Sequence, residues 1–434
     1  MRLRHVIKRS IPKRLFAAVE PWGHLAEAVF WNCLYGFPAR GMHVIGVTGT
    51  NGKTTTSFLI HRMLTESGRG AGLMTTVAWA VGDDVRPQHE HMTNVPVPLL
   101  VKRLRAMRKA GVQWLVLETT SHALVQYRTW GVRYSVAVLT NITHEHLDYH
   151  KTFEQYVAAK RRLFEKVQAN RQGLRLGVVN ADDPSGAAFA RVTQRSICYG
   201  LSEGDVRAVN VRLGADGVRF DAVADGKTYK IQSGLPGSFN VHNILAAVSV
   251  GHALNLSKKQ IEQGIAALPS VAGRMQAVDA GQKFAVIVDY AHTPDAIENV
   301  LQSLRETCKG KLLLVFGATG DRDKTKREPM GEVAGRLADK IFLTDDETYT
   351  ESGHEIRLAV YKGIETVGAT GKTTVIADRR EAIAAAVAAA RPSDVVVLTG
   401  IGHQDSRMMG GREIAWSEEA VVRKAIAELH AHKK

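Results

Sequence analysis

The chain has 434 residues, a length that favours two or three domains, and an apolar fraction of 45% that argues against wholesale disorder. Its three cysteines, Cys33, Cys198 and Cys308, are far apart and form no CxxC pair, which excludes a disulfide framework and a cysteine zinc site and fits a reducing cytoplasm. The formal charge of +14 fits an anionic substrate, an anionic membrane surface or a generally basic protein; no recognition helix, zinc finger or RNA-binding aromatic motif supports a nucleic-acid partner.

Basic side chains crowd the N-terminus: Arg2, Arg4, Lys8, Arg9, Lys13 and Arg14. The apolar, aromatic stretch from Leu15 to Phe37 is interrupted by Glu20, Pro21, His24, Glu27 and Asn32, so no run is long enough to span a bilayer. It ends in no clean small-residue cleavage site, which argues against a signal peptide. Residues 1–38 read either as a helix packed on the protein's own body or as an interfacial segment touching anionic lipid. Trp22, Phe30, Trp31, Tyr35 and Phe37 beside the basic flank suit the second role.

From residue 43, short apolar runs alternate with longer helical patterns, which predicts βαβ units and a parallel sheet. Strands are expected at His43–Thr48, Trp114–Glu118, Ser135–Thr140 and Leu176–Asn180, each rich in Val, Ile or Leu, as burial on both faces requires. Between about 206 and 233 an alternating pattern broken at Ala215-Asp216-Gly217 and Ala224-Asp225-Gly226 predicts antiparallel hairpins. A helix over about Asn240–Leu254 leads to a linker at Leu268-Pro269-Ser270 and Gly273. A second alternating block follows, with strands at Phe284–Tyr290, Leu312–Phe316, Lys340–Thr344, Thr374–Ala377 and Asp394–Thr399. An Ala-rich helix, Glu381–Ala390, and a last helix from about Ser417 cover that sheet. The expected fold is α/β. A segment 1–40 precedes a central P-loop ATPase-like domain, 41–270, with a parallel sheet and a small antiparallel portion. A Rossmann-like C-terminal domain, 271–434, completes it, with a ligand cleft between the two.

The sharpest motif is Gly46-Val47-Thr48-Gly49-Thr50-Asn51-Gly52-Lys53-Thr54-Thr55-Thr56, which follows a strand and opens a helix. Glycines let the backbone wrap a phosphate, and the helix N-terminus turns its N–H groups toward the anion. Lys53 can reach the outer phosphates and Thr54 can ligate magnesium. The spacing is the short form, Gly49 to Thr54, because Val47 stands where the longer loop needs a glycine. Gly368-Ala369-Thr370-Gly371-Lys372-Thr373-Thr374 has similar letters but precedes a strand, and reads as a helix-to-strand turn.

Gly49–Thr54 combines with Glu118-Thr119-Thr120-Ser121-His122-Ala123-Leu124, Asn141–His150, Ala158-Ala159-Lys160, Gly273-Arg274-Met275, Asp289-Tyr290-Ala291-His292-Thr293-Pro294 and Gly317–Arg327. Together these resemble the Mur ligase superfamily, which includes folylpolyglutamate synthetases, and most of all its MurE type. The resemblance implies ATP and two magnesium ions, with Thr54 and Glu118 on one and His146 with a carbamylated Lys160 on the other. It places Gly49, Thr50, Asn51, Gly52, Lys53, Thr54, Thr55, Asn243, Arg274 and Asp289 around the nucleotide. The resemblance also implies catalytic roles for Lys53, His146 and Lys160, and a place on the substrate side for Thr119, Ser121, Gln126, Arg128, His292, Asp346, Gly400 and Gln404. The implied reaction adds an amino acid to a muramoyl-peptide carboxylate through an acyl phosphate, in the cytoplasm, during cell-wall precursor synthesis. A monomer acting on small molecules is expected.

Two departures from the family pattern matter. The stretch before the phosphate loop does not read as the α/β domain that holds the donor's UDP, so a lipid-linked or free muramoyl peptide also fits. Asp346-Glu347-Thr348-Tyr349 replaces Asp-Asn-Pro-Arg, and Gly400-Ile401-Gly402-His403-Gln404 replaces Gly-Lys-Gly-His-Glu. The arginine clamp for the acceptor's carboxylate is therefore absent there, and lysine, ornithine or a smaller acceptor stays open. The alternatives are a related ligase on a folate-like polyglutamate or poly-amino-acid carboxylate, and a non-catalytic nucleotide-binding scaffold.

Overall fold

The computed structural model describes residues 13–90, 92–143, 145, 147–214 and 217–431. Its first sheet comprises β1 (His43–Thr48), β2 (Ala71–Met74), β3 (Ala78–Val81), β4 (Asp84–Pro87), β5 (Trp114–Glu118), β6 (Tyr134–Leu139), β7 (Leu176–Asn180), β8 (Arg195–Gly200), β9 (Val206–Gly214), β10 (Gly217–Ala224) and β11 (Lys227–Ser233). Their order across the sheet is β11-β10-β9-β8-β7-β6-β1-β5-β2-β3-β4. The middle, from β9 to β2, is parallel, and a short antiparallel meander closes each end.

Central strands β1, β5, β6 and β7 are almost wholly buried, as helices cover both faces. Helix Phe239–Ala253 is buried along most of its length and packs with helix Lys53–Glu66 on one face. Helices Val97–Lys109 and Phe153–Ala169 cover the other.

The second sheet contains β12 (Gln276–Ala277), β13 (Ala285–Val288), β14 (Leu312–Phe316), β15 (Lys340–Leu343), β16 (Thr373–Val375) and β17 (Val395–Leu398), ordered β12-β13-β17-β14-β15-β16. All its pairings but that of β12 are parallel. A separate hairpin, β18 (Ser406–Met409) with β19 (Arg412–Ala415), precedes the last helix, Glu418–Ala431.

Several boundaries differ from the sequence expectation for identifiable reasons. β13 stops at Val288 because the Asp289 carboxylate accepts N–H bonds from Met275 and Ala291, both 2.7 Å, which turns the chain out of the sheet. Strands β2 to β4 and β8 have no clear sequence signal. β2 is Ala-Gly-Leu-Met, β4 is exposed throughout, and β8 is half polar, so neither apolar runs nor alternation mark them. The Gly368–Thr374 stretch is indeed a turn, with a 3-10 segment at Thr370–Lys372 feeding β16.

Helix Lys13–Leu34 packs on the body through Ala28 and Asn32, which meet Val97 and Val101 of helix Val97–Lys109 and the loop at Trp130. No helix among the described residues is long and apolar enough to cross a membrane.

Candidate active site

A cleft of roughly 710 Å³ lies between the two sheets, at the C-terminal end of β1. Its floor is the loop Thr48–Gly52, which runs from β1 into helix Lys53–Glu66. Two glycines make that path sterically feasible. Gly49 has φ 150° and a Cβ there would overlap the Thr140 hydroxyl; Gly52 has φ 80° and a Cβ would overlap Asn243 Oδ1. Side chains from the next parallel strand lock the loop. Thr140 Oγ1 donates to Asn51 O (2.6 Å), and the Asn51 N–H donates to Asn141 Oδ1 (2.9 Å). Thr50 Oγ1 accepts from the Thr143 N–H (2.9 Å) and lies 3.1 Å from the Tyr156 hydroxyl. These bonds fix the path of the loop into the helix N-terminus, where an anion is favoured.

At the start of the helix, the Thr54 hydroxyl donates to Glu118 Oε2 (2.9 Å). Glu118 ends β5, is 1% exposed, and also accepts from Thr76 N–H (3.0 Å) and the Thr76 hydroxyl (3.2 Å). The hydrogen-bond partners of this buried carboxylate are neutral, and its charge is opposed by the nearby Lys53 and Lys160, a setting that also suits a bound cation. Among the described residues no three His, Cys, Asp or Glu side chains converge as a metal cage. A hydroxyl and a carboxylate beside an anion cradle suit a hard, oxygen-seeking ion shared with phosphate oxygens, and magnesium fits that donor set.

Two lysines share this corner. Lys53 Nζ donates to Thr50 O (2.6 Å), and Lys160 Nζ donates to Gly49 O (2.6 Å) from above the Tyr156 ring, 4.4 Å from its centre. Lys160 is 2% exposed while its neighbours Arg161 and Arg162 point to solvent, so it is no ordinary surface lysine. Burial, then the nearby Lys53 charge, pushes its pKa well below the usual lysine range. Burial also lowers Lys53, against the pull of Glu118 and Glu145.

The opposite wall comes from the second sheet. Arg274 stacks over the Tyr290 ring (4.8 Å) and reaches toward the Thr54 hydroxyl (3.4 Å). His292 Nε2 lies 3.5 Å from Glu145 Oε1, while Lys326 Nζ donates to His292 O (2.9 Å). Asp295, in the first turn of helix Pro294–Thr307, accepts from Asn51 Nδ2 (2.6 Å) and the Thr143 hydroxyl (3.2 Å).

Of the residues singled out from sequence, Thr50, Asn51, Gly52, Lys53, Thr54, Thr55, Glu118, Asn243, Arg274, Asp289, His292 and Gln404 line the cleft. Lys160 and Gly49 lie directly beneath it, joined by their hydrogen bond. His146 falls outside the described residues. Asp289 is 6% exposed and its carboxylate is taken by two backbone N–H groups, so it shapes the linker behind Arg274.

Thr119 and Ser121 are buried: the Thr119 hydroxyl bonds Leu117 O (3.0 Å), and Ser121 Oγ lies 2.9 Å from His150 Nε2. Gln126 is buried beside Tyr149, and Arg128 reaches Asn94 O at 3.4 Å. Asp346 is 2% exposed and packs closely on Gly400, while Gln404 Nε2 donates to Glu347 Oε2 (3.3 Å). Sequence reasoning passed over Thr76, Glu145, Asp295 and Lys326. Thr76, Glu145 and Asp295 reach the cleft, and Lys326 its wall at His292, only through tertiary packing, and a carboxylate just after a Thr-Pro helix start was the one available hint for Asp295.

Residues 47–251 match the Mur ligase middle domain, and residues 273–402 match the Mur ligase glutamate ligase domain. The chain is 39% identical over 423 residues to the UDP-N-acetylmuramyl-tripeptide synthetase of Roseiflexus sp. (strain RS-1), covering 94% of this chain and 83% of that one. A solved UDP-N-acetylmuramoyl-L-alanyl-D-glutamate--2,6-diaminopimelate ligase is 31% identical with a TM-score of 0.62, over 90% of this chain and 79% of that one. A Mycobacterium tuberculosis folylpolyglutamate synthase complexed with ADP has a TM-score of 0.71 over 99% and 97% of the two chains. At 17% identity it shares the fold alone.

Proposed function

The chain belongs to the Mur ligase family, and from that premise we propose that it joins an amino acid to the carboxylate of a muramoyl peptide, forming ADP and phosphate, in peptidoglycan precursor synthesis. The observation that carries this reading is the convergence of Lys53, Thr54, Glu118 and Lys160 on one cleft whose far wall is Arg274, His292 and Asp295. A pure nucleotide-binding scaffold has no use for the second, buried lysine.

A carboxylate resists amine attack because its leaving group would be oxide. Transfer of the terminal phosphoryl group of ATP to a carboxylate oxygen gives an acyl phosphate and ADP. The acceptor nitrogen then attacks the acyl carbon, loses a proton, and phosphate leaves with that carboxylate oxygen. Lys53 swings from Thr50 O to the outer phosphates, and the N–H groups at the start of helix Lys53–Glu66 hold the rest of the chain of phosphates. Magnesium, held by Thr54 and Glu118, supplies charge neutralisation at the transferring group when bound.

Burial disfavours the Lys160 charge, and the amine in its neutral form would add carbon dioxide, forming an N–C bond and releasing a proton. The resulting carbamate is an anionic ligand, and with His146 it would hold a second ion. On the family resemblance we assign Gln126 and Arg128 to the donor and Asp346, Gly400 and Gln404 to the acceptor; of these, Gln404 lines the cleft. Arg274 and His292 close over the phosphates and exclude water that would hydrolyse the acyl phosphate.

Phosphate release measured with UDP-muramoyl-dipeptide, its nucleotide-free form and a panel of amino acids tests the reading. Release should require both a muramoyl donor and an acceptor, and Lys53→Ala should abolish it. Donor-independent release, or full activity of the variant, would overturn the assignment.

A further inference from the structure

Helix Lys13–Leu34 is inverted relative to an ordinary surface helix. At 3.6 residues per turn, Trp22, Gly23, Ala26, Phe30, Cys33 and Leu34 occupy one arc of about 120°, opposite the buried Ala28 and Asn32. That arc is the solvent side, with Trp22 66%, Phe30 59% and Leu34 61% exposed. It carries no charged side chain; Glu20, His24 and Glu27 lie on its flank, half-buried. A helix that is apolar on its outer face marks an interaction surface.

The neighbouring chemistry selects the occupant. Helix Val97–Lys109, on which this helix packs, exposes Lys102, Arg105, Arg108 and Lys109 and contains no acidic residue. The Arg105 guanidinium sits 5.2 Å over the Tyr35 ring, bringing this charge to the C-terminal end of the apolar ridge. In the sequence, Arg2, Arg4, Lys8, Arg9, Lys13 and Arg14 precede the ridge. An isologous dimer across the ridge would bring two such cationic helices toward each other, which disfavours a second copy. Apolar anchors flanked by cations match a bilayer interface with anionic headgroups.

We propose that the outward face of helix Lys13–Leu34 docks this protein on an anionic lipid surface, with Trp22, Phe30 and Leu34 inserted and Lys102, Arg105, Arg108 and Lys109 over the headgroups. The docking stands independently of the ligase reading, since it uses no residue of the cleft. It would hold the cleft beside a membrane, where a lipid-linked donor could reach it.

Sedimentation of the full chain with vesicles is the test, using phosphatidylcholine alone and phosphatidylcholine doped with phosphatidylglycerol. The protein should bind the doped vesicles and lose binding as salt rises. A Trp22→Ser/Phe30→Ser/Leu34→Ser variant should bind at least about tenfold more weakly, because the inserted apolar area is gone. Its turnover on a soluble donor and its thermal midpoint should match the parent, which separates lost docking from lost folding. Lys102→Glu/Arg105→Glu should weaken binding to doped vesicles only. Equal binding by the triple variant, no binding by the parent, or a parent dimer that the triple variant dissolves in light scattering would each overturn the proposal.

Discussion

Lys160 concentrates the residue-scale chemistry. In sequence it stands beside Arg161 and Arg162 on a helix, where a solvated lysine is the ordinary reading. In the fold it is buried against Gly49 O and Tyr156, with its charge disfavoured. Burial that disfavours the ammonium form favours the amine that carbamylation needs. Carbon-dioxide-depleted buffer should lower turnover and added bicarbonate should restore it, while Lys160→Ala should cut activity on the order of a hundredfold. Turnover that ignores bicarbonate would remove the carbamate from the account. The motif residues from Gly49 to Thr54 and Glu118 were legible because each carries a residue type that phosphate or magnesium chemistry demands. Thr76 and Glu145 were not, since their importance lies in neighbours far away along the chain: Thr76 supports Glu118, 42 positions on.

At the scale of elements, two carboxylates hold the second sheet's loops. Glu351 accepts from Arg327 (both 3.1 Å) and from the Asp321 N–H (2.6 Å), and pairs with Lys324 (3.0 Å), pinning the loop from Gly317 to Arg327. Hydrogen bonding from Arg327 is the main cause that holds its pKa down to about 2, from an unperturbed 4.5. A depressed carboxylate contributes stability that is present above the unfolded value and fades as pH falls through the folded one. Glu351→Gln should therefore melt below the parent at pH 7, with the gap narrowing between pH 4.5 and pH 2. A gap that stays constant over that range would contradict the pairing.

Glu418, the first residue of the last helix, is 2% exposed and accepts from the buried Arg379 (2.5 Å) and from Trp416 Nε1 (2.7 Å). Glu418→Ala leaves an uncompensated guanidinium inside the protein, and denaturant unfolding should register a loss of about 3–5 kcal/mol. A loss under about 1 kcal/mol, the range of an exposed pair, would mean the site is wetter than its burial implies.

For the molecule as a whole, the two sheets meet across the cleft through side chains that span long stretches of sequence. Asp295 binds Asn51 and Thr143, His292 faces Glu145, and Arg274 reaches Thr54. Asp295→Ala should loosen this contact, raising the KM for ATP by about tenfold, the effect of losing a charge-assisted bond, while the thermal midpoint stays near the parent's. An unchanged KM would show that closure does not depend on it.

The alternation of apolar runs and helical patterns made the parallel centre of each sheet readable, down to the residues of β1, β5, β7 and β14. The antiparallel end formed by β2, β3 and β4 was not readable, because Ala, Gly and exposed polar residues carry no periodic signal. The outward apolar face of helix Lys13–Leu34 needed coordinates, since sequence alone allowed either face of it to be the buried one.

In the proposed reaction the cleft activates a carboxylate by phosphorylation before the amine attacks. Oxygen-18 in the donor's carboxylate traces this directly, because the acyl phosphate moves one carboxylate oxygen to phosphorus. Mass analysis of the phosphate released during turnover should find one oxygen-18 atom per molecule formed from labelled carboxylate. Phosphate free of label, released in step with the new amide bond, would contradict the mechanism.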